Sequence, residues 1–343
     1  MVTVLKTLDG LKEKQSFINS LFDVYGEIYL QHYLSFEAIF LSKPKDDFCV
    51  FIDQKNNLLS AFEKKSDGVW QCSISGCPIL GNNQVDHSTL KTFFDTIRNK
   101  LETHSLYFPL IYRKCRIFNP LKNVSGMQLW PRLPSPIISG DLSEASIWNR
   151  VVERYGGRAY RQKKKFEENL FVKSVNHADV ENIIGKIESN SWKKRYGQDM
   201  LSRDNQFIYY TNIVKTGLAD MSVAFDHSNC PAAFRIDAHV GRTLFVIKWS
   251  YDENFKQYSP GFYLLTVDLF KKCGPSDLGY IDLYGSPDMM KNLLETDRLE
   301  RVDLCYSSNQ GYVDIIRTER TNYDAKIFNN YQNQQSIKKL FNH

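Results

Sequence analysis

Apolar residues along the chain fall into short blocks with two distinct periods. Phe48-Cys-Val-Phe-Ile52, Leu58 to Phe62 and Trp70 to Ser75 are brief apolar runs separated by turn residues, and they predict consecutive strands. From Ser88 to Thr103 the spacing changes. Leu90, Phe93, Phe94, Ile97 and Leu101 share one helical face, and Leu106 to Tyr112 follows as a strand. Leu129 to Pro136 then carries three prolines in eight residues, a composition that opposes both helix and central strand. The pattern therefore places a domain junction there, with a first domain at 1–134. Ser143 and Glu144 are expected to open a helix running towards Phe166.

The second half alternates more regularly. Residues 178–194 and 199–215 are expected helices. Ala219 to Phe225, Ala232 to Val240 and Thr243 to Tyr251 are expected strands in succession. A break from Glu253 to Gly261 leads into a helix from Phe262 to Cys273, and then a strand from Gly279 to Tyr284. A short helix at Asp288 to Leu294 and strands at Arg301 to Ser307 and Val313 to Arg317 complete a second domain at 135–321. Residues 322–343, rich in Asn, Gln and Lys, are expected to be a peripheral tail. The class is α/β (α+β), with helices, antiparallel strands and then a strand–helix–strand unit.

Composition narrows the class without naming a chemistry. A length of 343 residues favours two domains of ordinary size. With 42% hydrophobic and 24% charged residues, the chain is a globular rather than a disordered one. A net charge of +5, shared by both halves, is too weak alone to imply nucleic acid. Seven cysteines form no CxxC pair, which points to reduced thiols and no metal. The N-terminus lacks a signal pattern and no apolar run approaches a membrane span, so a soluble cytoplasmic protein is expected.

Several residues stand out chemically. Ser259-Pro260-Gly261 joins a strand to a helix and would turn unpaired backbone N–H groups outward, an anion site or simply a capped helix start. Asp282 sits in the apolar strand Tyr280 to Tyr284, where a carboxylate is costly to bury without a partner. It could take a proton from an attacking amine, or cap the following turn. Glu188 and Trp192, four apart, would share one helix face, lining an acceptor pocket or serving as a core Trp beside a surface Glu. His239 and Asp237 share a strand face, as an acid–base pair or as ordinary polar decoration. The run Arg158, Arg161, Lys163, Lys164, Lys165, interleaved with Tyr155 and Tyr160, suits a phosphate-bearing partner or a solvated face.

This order of elements, together with Glu188 to Lys193, Trp249 to Glu253, Ser259-Pro260-Gly261, Asp282, Gly285 and Lys291, resembles the GNAT superfamily of acyltransferases. The likeness is to its double-domain FemABX-like and CelD-like branch, and covers roughly 135–310. It implies two GNAT-like domains, each a mixed, largely antiparallel sheet flanked by helices. It implies an N-acyltransferase moving an acyl group from an acyl-CoA or acyl-carrier-protein thioester to an amine by direct attack. Asp282, Lys291 and Tyr251 would be catalytic. Gln257, Ser259, Gly261 and Phe262 would hold the donor, and Glu188, Trp192, His239 and Tyr284 the acceptor. The superfamily's glycine-rich phosphate pattern is reduced to Gln257-Tyr-Ser-Pro-Gly261, and Met290 stands before Lys291 where related chains often carry Tyr. An aminoacyl-tRNA-dependent transferase, and a non-catalytic binding subunit, are the corresponding alternatives.

Overall fold

The computed structural model describes every residue except 1, 45, 67, 83, 176, 204, 273–277 and 341–343, with backbone alone at 272, 289 and 330–340. Cys273 lies outside the described residues. The chain divides into two compact units, Met1–Ser135 with Leu299–His343, and Pro136–Arg298.

In the first unit, β1 (Val2–Leu5) pairs antiparallel with β2 (Phe48–Asp53) across α1 (Leu8–Glu13), α2 (Gln15–Tyr25) and α3 (Tyr33–Ser42). β2, β3 (Leu58–Ser66) and β4 (Val69–Cys72) form an antiparallel meander, and β5 (Leu80–Gly81) pairs with β3. α4 (His87–Leu101) buries the predicted stripe of Leu90, Phe93, Phe94 and Ile97 and crosses to β6 (Ser105–Tyr112), parallel to β4. Phe108 on β6 meets the rings of Phe62 and Phe94 at 5.6 and 5.2 Å. Helix α5 (Phe118–Lys122) follows.

The two units divide within the proline-rich stretch, between Ser135 and Pro136, but the stretch is a strand, which its prolines were expected to oppose. It forms β7 (Met127–Ser139), thirteen residues long, passing through Pro131, Pro134 and Pro136. Side chains replace part of what the prolines cannot give a ladder. The Arg301 guanidinium donates to the Leu133 carbonyl at 2.6 and 2.8 Å, and the Leu133 N–H donates to Asp324 at 3.0 Å.

In the second unit the long helix expected from Ser143 is two. α6 (Glu144–Tyr155) ends at Gly156, whose φ of 64° no side-chain-bearing residue adopts cheaply, and α7 (Arg158–Asn169) starts afresh. β8 (Leu170–Ser174), α8 (Val180–Ser189) and α9 (Gln206–Lys215) follow. Two expected helices are therefore shorter at these ends: Asp199 accepts the Leu201 and Ser202 N–H groups in a turn before α9 begins. β9 (Asp220–Asp226), β10 (Pro231–Val240) and β11 (Thr243–Tyr251) continue the antiparallel order begun by β8. A 3-10 turn, Glu253–Tyr258, leads into a continuous helical rod. The rod is built of α10 (Pro260–Tyr263), a π-helical segment (Leu264–Asp268) and α11 (Leu269–Lys272). It delivers the chain to β12 (Tyr280–Asp282), parallel to β11 and antiparallel to the end of β7. α12 (Met289–Leu294) is capped by Asp288.

The chain then returns to the first unit. β13 (Asp297–Ser307) pairs antiparallel with β6, and α13 (Gln310–Leu340) is one helix. The expected strand at Val313–Arg317 and the expected tail from 322 are both parts of α13. Val313 and Ile316 are three apart and bury against Tyr107, Trp130 and Cys305, a helical spacing rather than a strand one. No helix among the described residues is long and apolar enough to cross a membrane.

α13 is tied to its unit by a buried charge cluster. Arg132 on β7 pairs with Asp303 at 2.5 Å and Asp324 at 2.7 Å, and the Tyr107 hydroxyl donates to Asp303. Asp303 has no exposed surface. Removing one member strands the others without water, so Asp303→Ala is expected to destabilise by about 3–5 kcal/mol. Urea denaturation followed by the fluorescence of the first unit's Trp130 reads this loss. A change under about 1 kcal/mol would show the cluster to be peripheral.

Candidate active site

β11 and β12 pair over only three residues, Thr243–Phe245 against Tyr280–Asp282. β11 runs on to Tyr251, so its last six residues extend past the end of β12. Beside this stretch opens a cavity of about 620 Å³, lying wholly within the second unit. Trp192, Trp249, Tyr251, Tyr155 and Phe262 supply aromatic walls, while Arg158, Arg161, Lys165 and Lys256 supply charge. Among the described residues no carboxylate lines it.

The helical rod forms one side. Pro260 occupies the first helical position, and Ser259 precedes it in the left-handed region with φ 55°. Its hydroxyl makes no capping bond, contrary to its expected role as N-cap. Among the described residues the Gly261 and Phe262 amides find no acceptor, as the first N–H groups of a helix do without a cap. Packing requires a glycine at 261. A Cβ there would meet Trp249 at 3.2 Å and Tyr251 at 3.3 Å. The glycine lets the helix lie against β11.

α7 supplies the charge. Arg158, Arg161 and Lys165 recur at helical spacing along one face and span about 10 Å at 1.5 Å per residue. The lysines of the sequence run separate here. Lys163 and Lys164 pair with Glu167 and Glu168 at 2.7 and 3.6 Å, whereas Arg158, Arg161 and Lys165 have no carboxylate partner among the described residues. Arg158 lies over the Tyr155 ring, which stacks on Phe262 at 5.4 Å. Burial pushes the Tyr251 phenol up, keeping it protonated at neutral pH.

The proposed site residues fall into four places. Gln257, Ser259, Gly261, Phe262, Trp192 and Tyr251 line the cavity. Asp282, Tyr284 and Lys291 meet at one turn beyond β12. Asp282 has no exposed surface and accepts the Tyr284 N–H at 2.9 Å, the turn-capping bond of its structural alternative. Lys291 donates to the Tyr284 and Ser286 carbonyls at 2.6 and 3.0 Å. Tyr284 takes φ 45°, and these bonds hold it there. Glu188 is fully buried, and its Oε2 accepts the Met200 N–H at 2.7 Å. The expected helix face shared with Trp192 does not exist, because α8 ends at Ser189 and Trp192 opens a separate 3-10 turn. His239 is exposed opposite Leu244, at the far end of β11 from Trp249, roughly 17 Å along the strand. Its presumed partner Asp237 instead chelates Arg235 at 2.8 and 3.0 Å.

Sequence reading missed three side chains beside this site. Arg235 is fully buried beneath the helical rod, donates to Asp237 and to the Leu264 carbonyl, and forms an ion pair with Asp268 at 3.2 Å. Lys193 donates to the Trp249 carbonyl at 2.5 Å and lies over that ring. Lys248 on β11 donates to Gln206 and lies over Tyr210. Burial lowers both ammoniums, Lys193 to about 8. A lysine beside a strand end ordinarily reads as solvated, so only the packing distinguishes these two. Among the described residues no group of His, Cys, Asp or Glu is arranged to hold a metal ion.

No protein-family model and no curated protein sequence matches the chain. Solved structures do. FemX superposes with a TM-score of 0.63 at 11% identity, covering 92% of this chain and 99% of that one. The fold is the one FemX has. L-PGS from Bacillus licheniformis gives a TM-score of 0.57 at 12% identity, covering 89% and 96%. A conserved protein of unknown function from Bacteroides thetaiotaomicron gives 0.60 at 10%, covering 90% and 100%. At these identities the likeness establishes the fold, a mixed and largely antiparallel open sheet flanked by helices.

Two measurements check the local argument. Ser259→Gly is expected to be neutral or stabilising by up to about 1 kcal/mol, because glycine adopts the left-handed region freely. Gly261→Val is expected to cost about 1–3 kcal/mol through the clash with Trp249 and Tyr251. Thermal unfolding of both variants reads the opposite signs; equal effects would refute the close-approach role of Gly261.

A third check is the pH dependence of Lys193. The unfolded chain still binds the lysine proton between about pH 8 and the ordinary 10.5, where the folded chain has released it. Stability therefore rises with pH across that window for this group. The difference in unfolding free energy between wild type and Lys193→Met is expected to grow in favour of wild type over it. A flat difference would mean that the ammonium is not depressed.

Proposed function

We propose that the protein is a transferase that takes an aminoacyl group from the 3′ end of a charged tRNA and passes it to an amine, forming an amide. The observation that carries this reading is the cationic row Arg158, Arg161 and Lys165, without carboxylate partners among the described residues and facing aromatic walls in the cavity. Cations at helical intervals suit successive phosphates of a single strand, and the aromatic walls suit stacked bases. The FemABX-like resemblance supports the same donor. A second reading keeps the thioester donor, acyl-CoA, and is favoured by the free Gly261 and Phe262 amides, which suit a pyrophosphate. An acyl carrier protein is not part of either reading.

In this mechanism the acceptor nitrogen attacks the ester carbonyl carbon, the carbon–oxygen bond to the ribose breaks, and one proton passes overall from nitrogen to the departing oxygen. Tyr251, kept protonated by burial, gives its proton to that oxygen, and the proton lost by the attacking nitrogen restores the phenol. Asp282 and Lys291 act as positioning residues, fixing the Tyr284 turn through the bonds described above. Positioning supplies the rest of the acceleration.

The donor choice is testable by equilibrium binding. Charged tRNA is expected to bind with a log–log salt slope of about −2 to −3, falling by roughly 0.7 for each of Arg158→Ala and Lys165→Ala. Saturable binding of acyl-CoA with no tRNA binding would replace this reading by the second. With the true donor, Tyr251→Phe is expected to lower kcat by about 100-fold or more with KM little changed; unchanged kcat would remove Tyr251 from the chemistry.

A further inference from the structure

On the α8 and α9 side of β11, four ionisable groups are held together without pairing. Glu188 and Asp199 have no exposed surface. Each uses one carboxylate oxygen on backbone N–H groups, Glu188 on Met200 and Asp199 on Leu201 and Ser202. Each leaves the other oxygen, Glu188 Oε1 and Asp199 Oδ2, buried with no hydrogen-bond partner. Such an orphan acceptor is costly and unusual in a native fold.

Lys193 and Lys248 stand beside them, half-buried. Both feel Glu188, and Lys248 also feels Asp199 and Arg203, while Asp288 and Arg203 act on Lys193. Yet neither ammonium comes within ion-pair distance of either carboxylate among the described residues: the hydrogen bonds of Lys193 and Lys248 go to the Trp249 carbonyl and to Gln206. The two lysines also repel each other. The cluster thus leaves orphaned oxygens on one side and depressed ammoniums on the other, opposite charges that attract at a distance without touching. Tyr210 and Tyr284, electrostatically coupled to each other, stand beside the cluster.

We propose that Glu188, Asp199, Lys193 and Lys248 form the acceptor subsite of the transferase, and that it takes a zwitterionic α-amino acid head group. The ammonium of such a group has three N–H donors, enough for Glu188 Oε1 and Asp199 Oδ2, and passing one proton to either carboxylate leaves the neutral amine that attacks. Its carboxylate gives each lysine an acceptor and offsets their mutual repulsion. A simple amine would leave the lysines unmatched, and a simple carboxylate would leave the orphan oxygens unmatched. The subsite adjoins the donor cavity through Lys193, which packs on the same Trp249 that walls the cavity. This assignment rests on the transferase reading for its role, but its ligand chemistry can be tested without any donor.

The test titrates the intact protein with L-alanine, L-lysine, ethylamine and propionate, with and without uncharged tRNA, following the lysine side-chain NMR resonances. Saturable shifts of the Lys193 and Lys248 signals are expected with the two amino acids, with both ammoniums titrating at higher pH when ligand is bound. Ethylamine and propionate are expected to bind at least about tenfold more weakly. Glu188→Gln, which keeps an acceptor for Met200, and Lys248→Met are each expected to weaken amino acid binding about tenfold or more while Arg158→Ala leaves it unchanged. No saturable shift in any condition, equal binding of ethylamine, or indifference to both subsite variants would overturn the proposal. Amino acid binding without any tRNA binding would uphold the subsite and refute the donor reading instead.

Discussion

The second unit is organised around one buried guanidinium. Arg235 has no exposed surface, sits in the middle of the sheet on β10, and reaches up into the helical rod that follows β11. It bonds Asp237 on its own strand, pairs with Asp268 at 3.2 Å and donates to the Leu264 carbonyl. Leu264 and Asp268 are the two ends of the π-helical segment. A π turn is a costly departure from regular helix, and it persists where something outside the helix engages the groups it displaces. Arg235 does so here. Burying the ion group is expensive, so its contribution is better understood as fixing one arrangement than as adding net stability.

The consequence is felt one turn earlier. With the far half of the rod held by Arg235 and its near end pressed against Trp249 and Tyr251 through Gly261, the first turn is fixed where Gly261 and Phe262 line the cavity. Phe166 stacks on Tyr263 at 3.7 Å from the other side, which couples α7 to the same rod. The cationic face of α7 and the amides of α10 are thus positioned by packing that does not itself enter the cavity. Such preorganisation is what transfer chemistry without a covalent intermediate requires.

How much of this could be read from the residues depended on how local the cause was. The β9–β10–β11 order, the crossover rod and the stripe of α4 are encoded in nearby periodicity, and they were legible. β7 was not, because the groups that bond the backbone at Leu133 are Arg301 and Asp324, far along the chain. Arg235 was hidden by its pattern. Phe234-Arg-Ile-Asp-Ala-His alternates apolar and polar as a half-exposed strand would, yet the face bearing Arg235 and Asp237 is covered by the rod. The same ambiguity concealed Lys193 and Lys248. Part of the cavity lining, Tyr251, Gln257, Ser259, Gly261 and Phe262, could be named from the residues, since Tyr251 to Phe262 is one continuous strand-to-helix passage.

The central claim is that the cavity beside Tyr251 accepts the acyl-bearing end of a charged tRNA. A single-turnover assay addresses it most directly: enzyme in excess over tRNA labelled on its amino acid, with an amino acid as acceptor, quenched over time and resolved by chromatography. The account predicts that label moves from tRNA to an amide-linked product, and that the Arg158→Ala, Lys165→Ala double variant slows this transfer by at least about tenfold. Label that stays on tRNA with wild-type enzyme, under conditions where acyl-CoA gives product, would contradict it.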